Sequence, residues 1–235
     1  MLIIVDKRIP PEAKEKLAAY GSIVELETKG IVYPAISGHP DIFFCKTPEL
    51  LIVSPNLPTN YLTLLTEQNI KFIPGTVSSI FHPPSSILQF PATISYNAAI
   101  NDHFLIHRLE YTDPVILENC STLKKIPVKQ GYTRCNLVLL KEDHYITSDL
   151  GIHKNLERNG LKGILVSPEG ILLSGFKNGF IGGTMGLFDN MIFILGSLVH
   201  YHEGEIVRSF LQSLDYQIIE LYDGKLVDGG SIVFS

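Results

Sequence analysis

Charged residues are scarce in this chain of 235 residues, at 18% against 45% hydrophobic, and the mean hydropathy is +0.20. That balance excludes a disordered chain, because enough apolar surface is present to offset the entropy of ordering a core. Positive charge is in short supply too. Lys and Arg number 19 against 24 Asp and Glu, the net charge is -5, and no basic block occurs, so a nucleic-acid partner is not expected. Only three cysteines are present, Cys45, Cys120 and Cys135, with no CxxC pair, which argues against a disulfide framework and for reduced thiols. Long apolar runs are missing. The stretches around Met191–Leu195 and Asn136–Leu140 are strand-length, far below the ~20 residues of a membrane span, so no membrane partner is expected. The start, Met1 to Arg8, sets apolar residues before charges and lacks a small-residue cleavage site, the reverse of a secretory signal, and a cytoplasmic location follows as the expectation. Linkers and low-complexity stretches are absent as well. The one turn-rich insertion is Phe81-His82-Pro83-Pro84-Ser85-Ser86, and the whole of 1–235 is expected to form a single domain.

What is present is a repeat: an apolar strand, a turn, a second strand, a helix and a third strand ending near glycine. The second unit is predicted as strands over Asp41–Cys45 and Leu50–Ser54, a helix over Thr59–Gln68 and a strand over Ile70–Pro74. In the third, a strand over Thr93–Ile100 turns at Asn101-Asp102 into Phe104–Leu109. Asp113-Pro114 then caps a helix, and Lys125–Val128 closes the unit. The fourth runs Asn136–Leu140, a turn at Glu142-Asp143, Tyr145–Ser148, a helix over Ile152–Asn159 and Gly163–Leu173. The fifth runs Thr184–Phe188, a turn at Asp189-Asn190, Met191–Leu195, the longest helix over Glu203–Leu214 and Gln217–Leu221. The ends supply the remaining parts. Leu2–Val5, Pro11–Tyr20 and Ile23–Leu26 lack a first strand, and Ser231–Phe234 is a strand without a unit. Joined, they complete an α/β ring, a five-fold pseudo-symmetric propeller of ββαβ units closed by its N- and C-terminal strands.

Such a ring resembles the pentein fold of the guanidine-modifying enzymes, among them arginine deiminases, dimethylarginine hydrolases and agmatine deiminases. Gly38-His39-Pro40-Asp41, Gly131-Tyr132-Thr133-Arg134-Cys135 and Asp228-Gly229-Gly230-Ser231-Ile232 look like an uncharacterised bacterial branch of that superfamily. The resemblance implies that a carboxylate early in the ring holds a guanidinium. Pro40-Asp41-Ile42-Phe43-Phe44 is similar to the family's Pro-Asp-x-x-Phe pattern, which makes Asp41 the first site residue. It also implies a histidine general acid on a later first strand and a thiolate nucleophile on the C-terminal strand. The corresponding stretches are Thr133-Arg134-Cys135-Asn136 and Gly229 to Ser235, which contain neither. An arginine, with a pKa above ~12, cannot replace a proton shuttle.

The first strands of such a ring converge, so Asp41, Asn97, Arg134, Asn136, Thr184 and Ser231, with Asp149 just after the second strand of the fourth unit, are the ligand-binding residues expected around a central pocket. Asp41 would hold a cation there, and Arg134 an anion such as a carboxylate. Cys135 is the candidate nucleophile if the reaction has moved, with Ser231 or Ser235 as weaker substitutes that lack a neighbouring base. Against this stands the reading of Cys135 as a buried, inert thiol. No metal and no cofactor are expected. His103 and His107 stand four apart, but on a strand that is about 13 Å, too far to share an ion. His200, His202 and Glu203 lack a third distant ligand, and the glycines from Gly179 to Gly186 lead into a hairpin rather than a phosphate-binding helix. The expected function is binding or acting on a small amino-acid-like or guanidino ligand without deiminase catalysis. The alternatives are a non-catalytic interaction scaffold, as in the ring-shaped ribosome anti-association factor of archaea and eukaryotes, and a hydrolase with a relocated nucleophile.

Overall fold

The computed structural model describes residues 1–76 and 87–235. The insertion 81–86 singled out in the sequence lies outside the described residues. The chain opens with β1 (Leu2–Asp6), α1 (Pro11–Ala18) and β2 (Ser22–Leu26), with Pro11 in the first turn of the helix, where a missing N–H costs nothing. A helical turn α2 (Pro40–Phe43) then leads into β3 (Phe44–Lys46), β4 (Leu51–Val53), α3 (Thr59–Glu67) and β5 (Phe72–Pro74). The third unit is β6 (Ala99–Ile100), β7 (Phe104–His107), α4 (Pro114–Asn119) and β8 (Lys124–Pro127). The fourth begins with another helical turn, α5 (Thr133–Asn136), and continues through β9 (Leu137–Leu139), β10 (His144–Thr147), α6 (Leu150–Arg158) and β11 (Lys162–Leu165). The fifth has β12 (Met185–Phe188), β13 (Met191–Ile194), α7 (Gly204–Ser213) and β14 (Gln217–Glu220), and β15 (Val233–Phe234) ends the chain.

These strands form five three-stranded sheets of one plan, each with its second strand in the middle, antiparallel to the first and parallel to the third. The N-terminal sheet obtains its first strand from the other end of the chain. β15 runs antiparallel to β1, pairing Ile3 with Phe234 and Ile4 with Val233, as the joined-termini reading predicts.

The apolar core explains why the units form a ring. Buried residues among those described fall into five clusters, and each cluster bridges two neighbouring sheets. Val24, Phe43 and Leu51 join the first unit to the second, Ile52 and Leu105 the second to the third, Ile106 and Leu137 the third to the fourth. Val138 and Ile192 join the fourth to the fifth, and Phe193 with Ile3 closes the fifth on the first. Alternation along each middle strand does this, since successive side chains point to opposite faces, so Ile52 packs forward while Leu51 and Val53 pack back. Each fully buried aliphatic side chain is worth roughly 1.5–3 kcal/mol.

All five first strands begin later than expected, β15 at Val233 rather than Ser231, and short turns precede the other four. Pro40–Phe43 and Thr133–Asn136 are helical turns, and Ala92–Ile94 and Ile181–Thr184 are 3-10 turns, so Asp41, Arg134 and Thr184 sit just ahead of strands rather than on them. These turns redirect the chain from an outer third strand to an inner first strand, and Pro40 favours one by presetting its φ. The strand expected over Gly163–Leu173 also stops early, at Leu165, and Pro168 shortly after it has no N–H for a ladder. No helix among the described residues is long and apolar enough to cross a membrane.

Candidate functional site

The turns before the first strands carry the polar side chains to the ring centre. All five first strands contribute to one cavity of about 130 Å³, through Phe44 and Lys46 of β3, Ile100 of β6, Leu139 of β9, Leu187 of β12 and Phe234 of β15. Three of the residues expected from sequence line it: Asp41, Arg134 and Ser231.

Asp41 is buried, and its backbone N–H donates to the carbonyl of Gly230 at 3.1 Å, which ties the second unit to the C-terminal segment. Its Oδ2 accepts a hydrogen bond from the Cys135 thiol at 2.9 Å, while Oδ1 has no partner. Burial pushes the carboxyl up from the ordinary carboxylate range, against the opposing pull of the Cys135 hydrogen bond and the Arg134 charge. Cys135 is driven well above the usual thiol value by burial first and then by the Asp41 carboxylate. Asn97 fixes this pair from behind, donating to the Asp41 carbonyl and to Cys135 Sγ, both at 3.2 Å, and accepting from the Cys135 N–H at 3.2 Å. Asn97 and Cys135 therefore support Asp41 rather than face the cavity, and the thiol is held protonated as a donor, the wrong state for a nucleophile.

Arg134 is partly exposed and reaches across the ring. Its Nη1 donates to the carbonyls of Gly182 at 3.0 Å and Leu137 at 3.5 Å, and Nη2 donates to that of Met185 at 3.1 Å. Three of the five guanidinium N–H groups are thus engaged, and two remain. Ser231 has φ 67, a left-handed conformation strained for a side chain-bearing residue, and its buried Oγ has no partner. Asn136, Asp149 and Thr184 are placed elsewhere by their own hydrogen bonds. Asn136 Nδ2 donates to the Tyr132 carbonyl at 2.9 Å, and Thr184 Oγ1 donates to the Ile181 carbonyl at 2.7 Å. Asp149 caps α6 by accepting from the Ile152 N–H at 2.8 Å and lines a surface groove with Lys154 and Arg158.

A second polar group was not anticipated from sequence. His39, Asp6 and Asp228 are all buried, with His39 Nε2 4.0 Å from Asp6 Oδ2 and Nδ1 4.0 Å from Asp228 Oδ1. Arg8 pairs with Asp6 through Nη2 at 2.5 Å and Nε at 2.9 Å, and Asp228 accepts backbone N–H bonds from Phe180 at 2.9 Å and Gly230 at 3.1 Å. Burial lowers the His39 pKa and raises that of Asp228. The close approach demands glycine at two positions. A Cβ on Gly230 would lie 2.2 Å from the His39 Cβ, and one on Gly183 would lie 1.9 Å from Asp228 Oδ1. The signal was present in Gly38-His39-Pro40-Asp41 and Asp228-Gly229-Gly230-Ser231, two of the segments that carry the family resemblance. Nothing in the sequence joins them to Asp6.

Solved structures similar in fold are guanidine-modifying enzymes. The amidinotransferase of the saxitoxin biosynthetic pathway from Microseira wollei matches at TM-score 0.53 and 10% identity, over 93% of this chain and 87% of that one. A C. jejuni agmatine deiminase with substrate bound matches at TM-score 0.53 and 10% identity, over 96% and 90%. A DDAH from Pseudomonas aeruginosa complexed with citrulline matches at TM-score 0.50 and 13% identity, over 93% and 91%. No curated protein matches the sequence. At such identities the likeness speaks of fold, and it agrees with five small sheets arranged as a propeller. The chain has the pentein fold, and it belongs to the family described as a family of unknown function (DUF6873), whose model matches residues 4–233.

Proposed function

We propose that the central cavity binds the charged end of a small amino-acid-like or guanidino ligand and that the chain does so without deiminase chemistry. The observation that carries this reading is the Arg134 guanidinium, which lines the cavity with two N–H groups unused, in the same lining as the Asp41 carboxyl. A ligand carboxylate that accepts from those N–H groups would form charge-assisted hydrogen bonds, which are stronger than neutral ones. A volume of about 130 Å³ is close to the ~150 Å³ that admits benzene, so a guanidinium or α-amino-acid head group enters and the remainder extends outward. Arg134, with Lys46 beside it, suits a carboxylate, and Asp41 suits a cation once ionised. Catalysis through Cys135 is disfavoured by its protonated, buried state. The open cavity supports a ligand-binding pore over one plugged as in a pure scaffold.

Isothermal titration with arginine, agmatine, citrulline and methylated arginines tests the proposal. The expected result is saturable heat with at least one of them, weakened roughly tenfold or more by Arg134→Met or Asp41→Asn. For cationic ligands the affinity rises with pH, because their partner is the ionised Asp41 and burial has raised the pH at which that form appears. Absence of heat with every compound at about 1 mM, a concentration that detects even weak sites, would sink the reading.

A further inference from the structure

A groove of about 500 Å³ runs between α6 and the segment that follows β8, and it shares no lining residue with the central cavity. Lys129, Lys154 and Arg158 line it, with Asp149 as its one carboxylate. We propose that this groove is a binding site for a small anion bearing two or more phosphate groups, held by these three cations.

The argument starts from the charges. Other cations of the chain find carboxylates: Lys7 pairs with Glu27 at 2.9 Å, Lys14 with Glu25 at 2.9 Å and Arg208 with Glu220 at 2.7 Å. Acids are in excess, 24 against 19 Lys and Arg. Yet among the described residues the side chains of Lys129, Lys154 and Arg158 have no hydrogen bond and no ion pair, and all three are exposed. Asp149 does not serve them. Its Oδ1 accepts from the Ile152 N–H at 2.8 Å and its Oδ2 from Gln130 Nε2 at 3.2 Å, which fills the N-terminus of α6 and leaves the cations further along the groove. The lining thus carries three positive charges against one negative, on a chain whose net charge is -5.

Helical spacing sets the geometry. Gly151, Lys154, Asn155 and Arg158 recur at three and four residues, so they share the face of α6 that borders the groove. Asn155 Nδ2 holds that face to the end of β8 by donating to the Pro127 carbonyl at 3.0 Å, and Lys129 follows two residues later in the segment that forms the other wall. Like charges four apart on a helix repel, and Lys154 and Arg158 keep that spacing without a counter-charge. An anion among the three cations removes the repulsion. The neutral side chains are already engaged, since Gln130 donates to Asp149 and accepts from the Tyr132 N–H at 3.2 Å, and Asn155 accepts from Asn159 Nδ2 at 3.0 Å. Recognition therefore falls to the cations. Phosphate suits them, because the Arg158 fork takes two oxygens at once and each lysine adds a point charge. The volume lies within the ~300–1,000 Å³ of small-molecule sites. No aromatic side chain lines the groove, and its one aliphatic side chain, Ile152, is buried, so nothing is present to stack a base or hold an apolar tail. The ligand class is a compact polyphosphate or a sugar bisphosphate rather than a nucleotide or a lipid.

Isothermal titration at about 0.1 M salt with pyrophosphate, fructose 1,6-bisphosphate and sulfate is the test. Saturable binding of either phosphate compound with a Kd below about 1 mM, and roughly tenfold tighter than sulfate, supports the site. The tighter of the two shows whether the phosphates are joined directly or through a sugar. The double variant Lys154→Gln with Arg158→Gln should weaken binding roughly tenfold or more and should melt with the wild type, because neither side chain holds another residue. Lys29→Gln with Lys71→Gln removes equal charge from exposed positions elsewhere, and Arg134→Met alters only the central cavity. Both should leave phosphate binding unchanged. No saturation up to about 10 mM, binding no tighter than that of sulfate, an equal loss in the two double variants, or loss in Arg134→Met overturns the proposal.

Discussion

Single residues decide how this fold responds to pH, and His107 is the clearest case. It sits on β7, fully buried, with Nδ1 2.7 Å from Thr112 Oγ1 and Nε2 3.0 Å from the Gly131 carbonyl. These bonds occupy both ring nitrogens. Burial pushes its pKa down from 6.5 to about 4, so the unfolded chain takes up the proton first. A depressed histidine contributes fully above the unfolded value, and its contribution is lost as pH falls from about 6.5 toward 4. The loss is about 3 kcal/mol over that window. His39 acts in the same direction. Asp41 and Asp228 act in the opposite one, because carboxyls raised in the folded state favour protonation and lose stability as pH rises through the interval above 3.8. Urea unfolding of the wild type and of His107→Gln across this range is the check. The wild type should weaken more steeply on acidification, and parallel curves for the two proteins would refute the assignment.

At the scale of elements, the cap of α4 shows how one carboxylate joins several. Asp113 Oδ1 accepts from the Val115 N–H at 2.9 Å, and Oδ2 accepts from the Thr76 N–H at 2.9 Å and the buried Tyr96 hydroxyl at 2.7 Å. Asp113→Ala removes a cap and strands two further donors, for an expected cost of about 2–3 kcal/mol in thermal or urea unfolding. Asp113→Asn keeps an oxygen at the cap and should cost less than half of that. This element was legible because Asp-Pro ahead of an apolar run announces a capped helix, and the hairpins were legible because Glu142 and Asp189 occupy turns at positive φ, 57 and 52. The helical turns before the inner strands were not. Four residues such as Thr133-Arg134-Cys135-Asn136 are too few to display a period of 3.6, and they run directly into a strand pattern. The site followed the same division. Convergence of the first strands brought Asp41, Arg134 and Ser231 together as expected, whereas Asn136, Asp149 and Thr184 are held by local bonds that only coordinates reveal. His39, Asp6 and Asp228 escaped because they come from three distant segments.

For the whole molecule the decisive strand is β15, which is the seam of the ring. Leu2 and Ser235 exchange both backbone hydrogen bonds, at 2.8 and 3.0 Å, so the two ends of the chain lie side by side. Alternation sends Val233 into the cluster between the first and second units, and Ile232 and Phe234 into the cluster between the fifth and the first. Three side chains thus hold two of the five interfaces. At roughly 1.5–3 kcal/mol each they amount to about 5–9 kcal/mol, comparable with the whole stability of an ordinary domain, about 5–15 kcal/mol. Contact across the seam should therefore matter, and covalent continuity elsewhere should not. A circular permutant that links Ser235 to Met1 through a short glycine linker and opens the exposed turn between Lys141 and Glu142 keeps every strand in its sheet. It should retain the far-ultraviolet circular dichroism of the wild type and a cooperative melt. Removal of residues 232–235 leaves the sheet of β1 and β2 without its first strand and should abolish cooperative melting near room temperature. A truncated protein that melts at the wild-type midpoint would mean that the ring is held by its other interfaces and that β15 closes it in geometry alone.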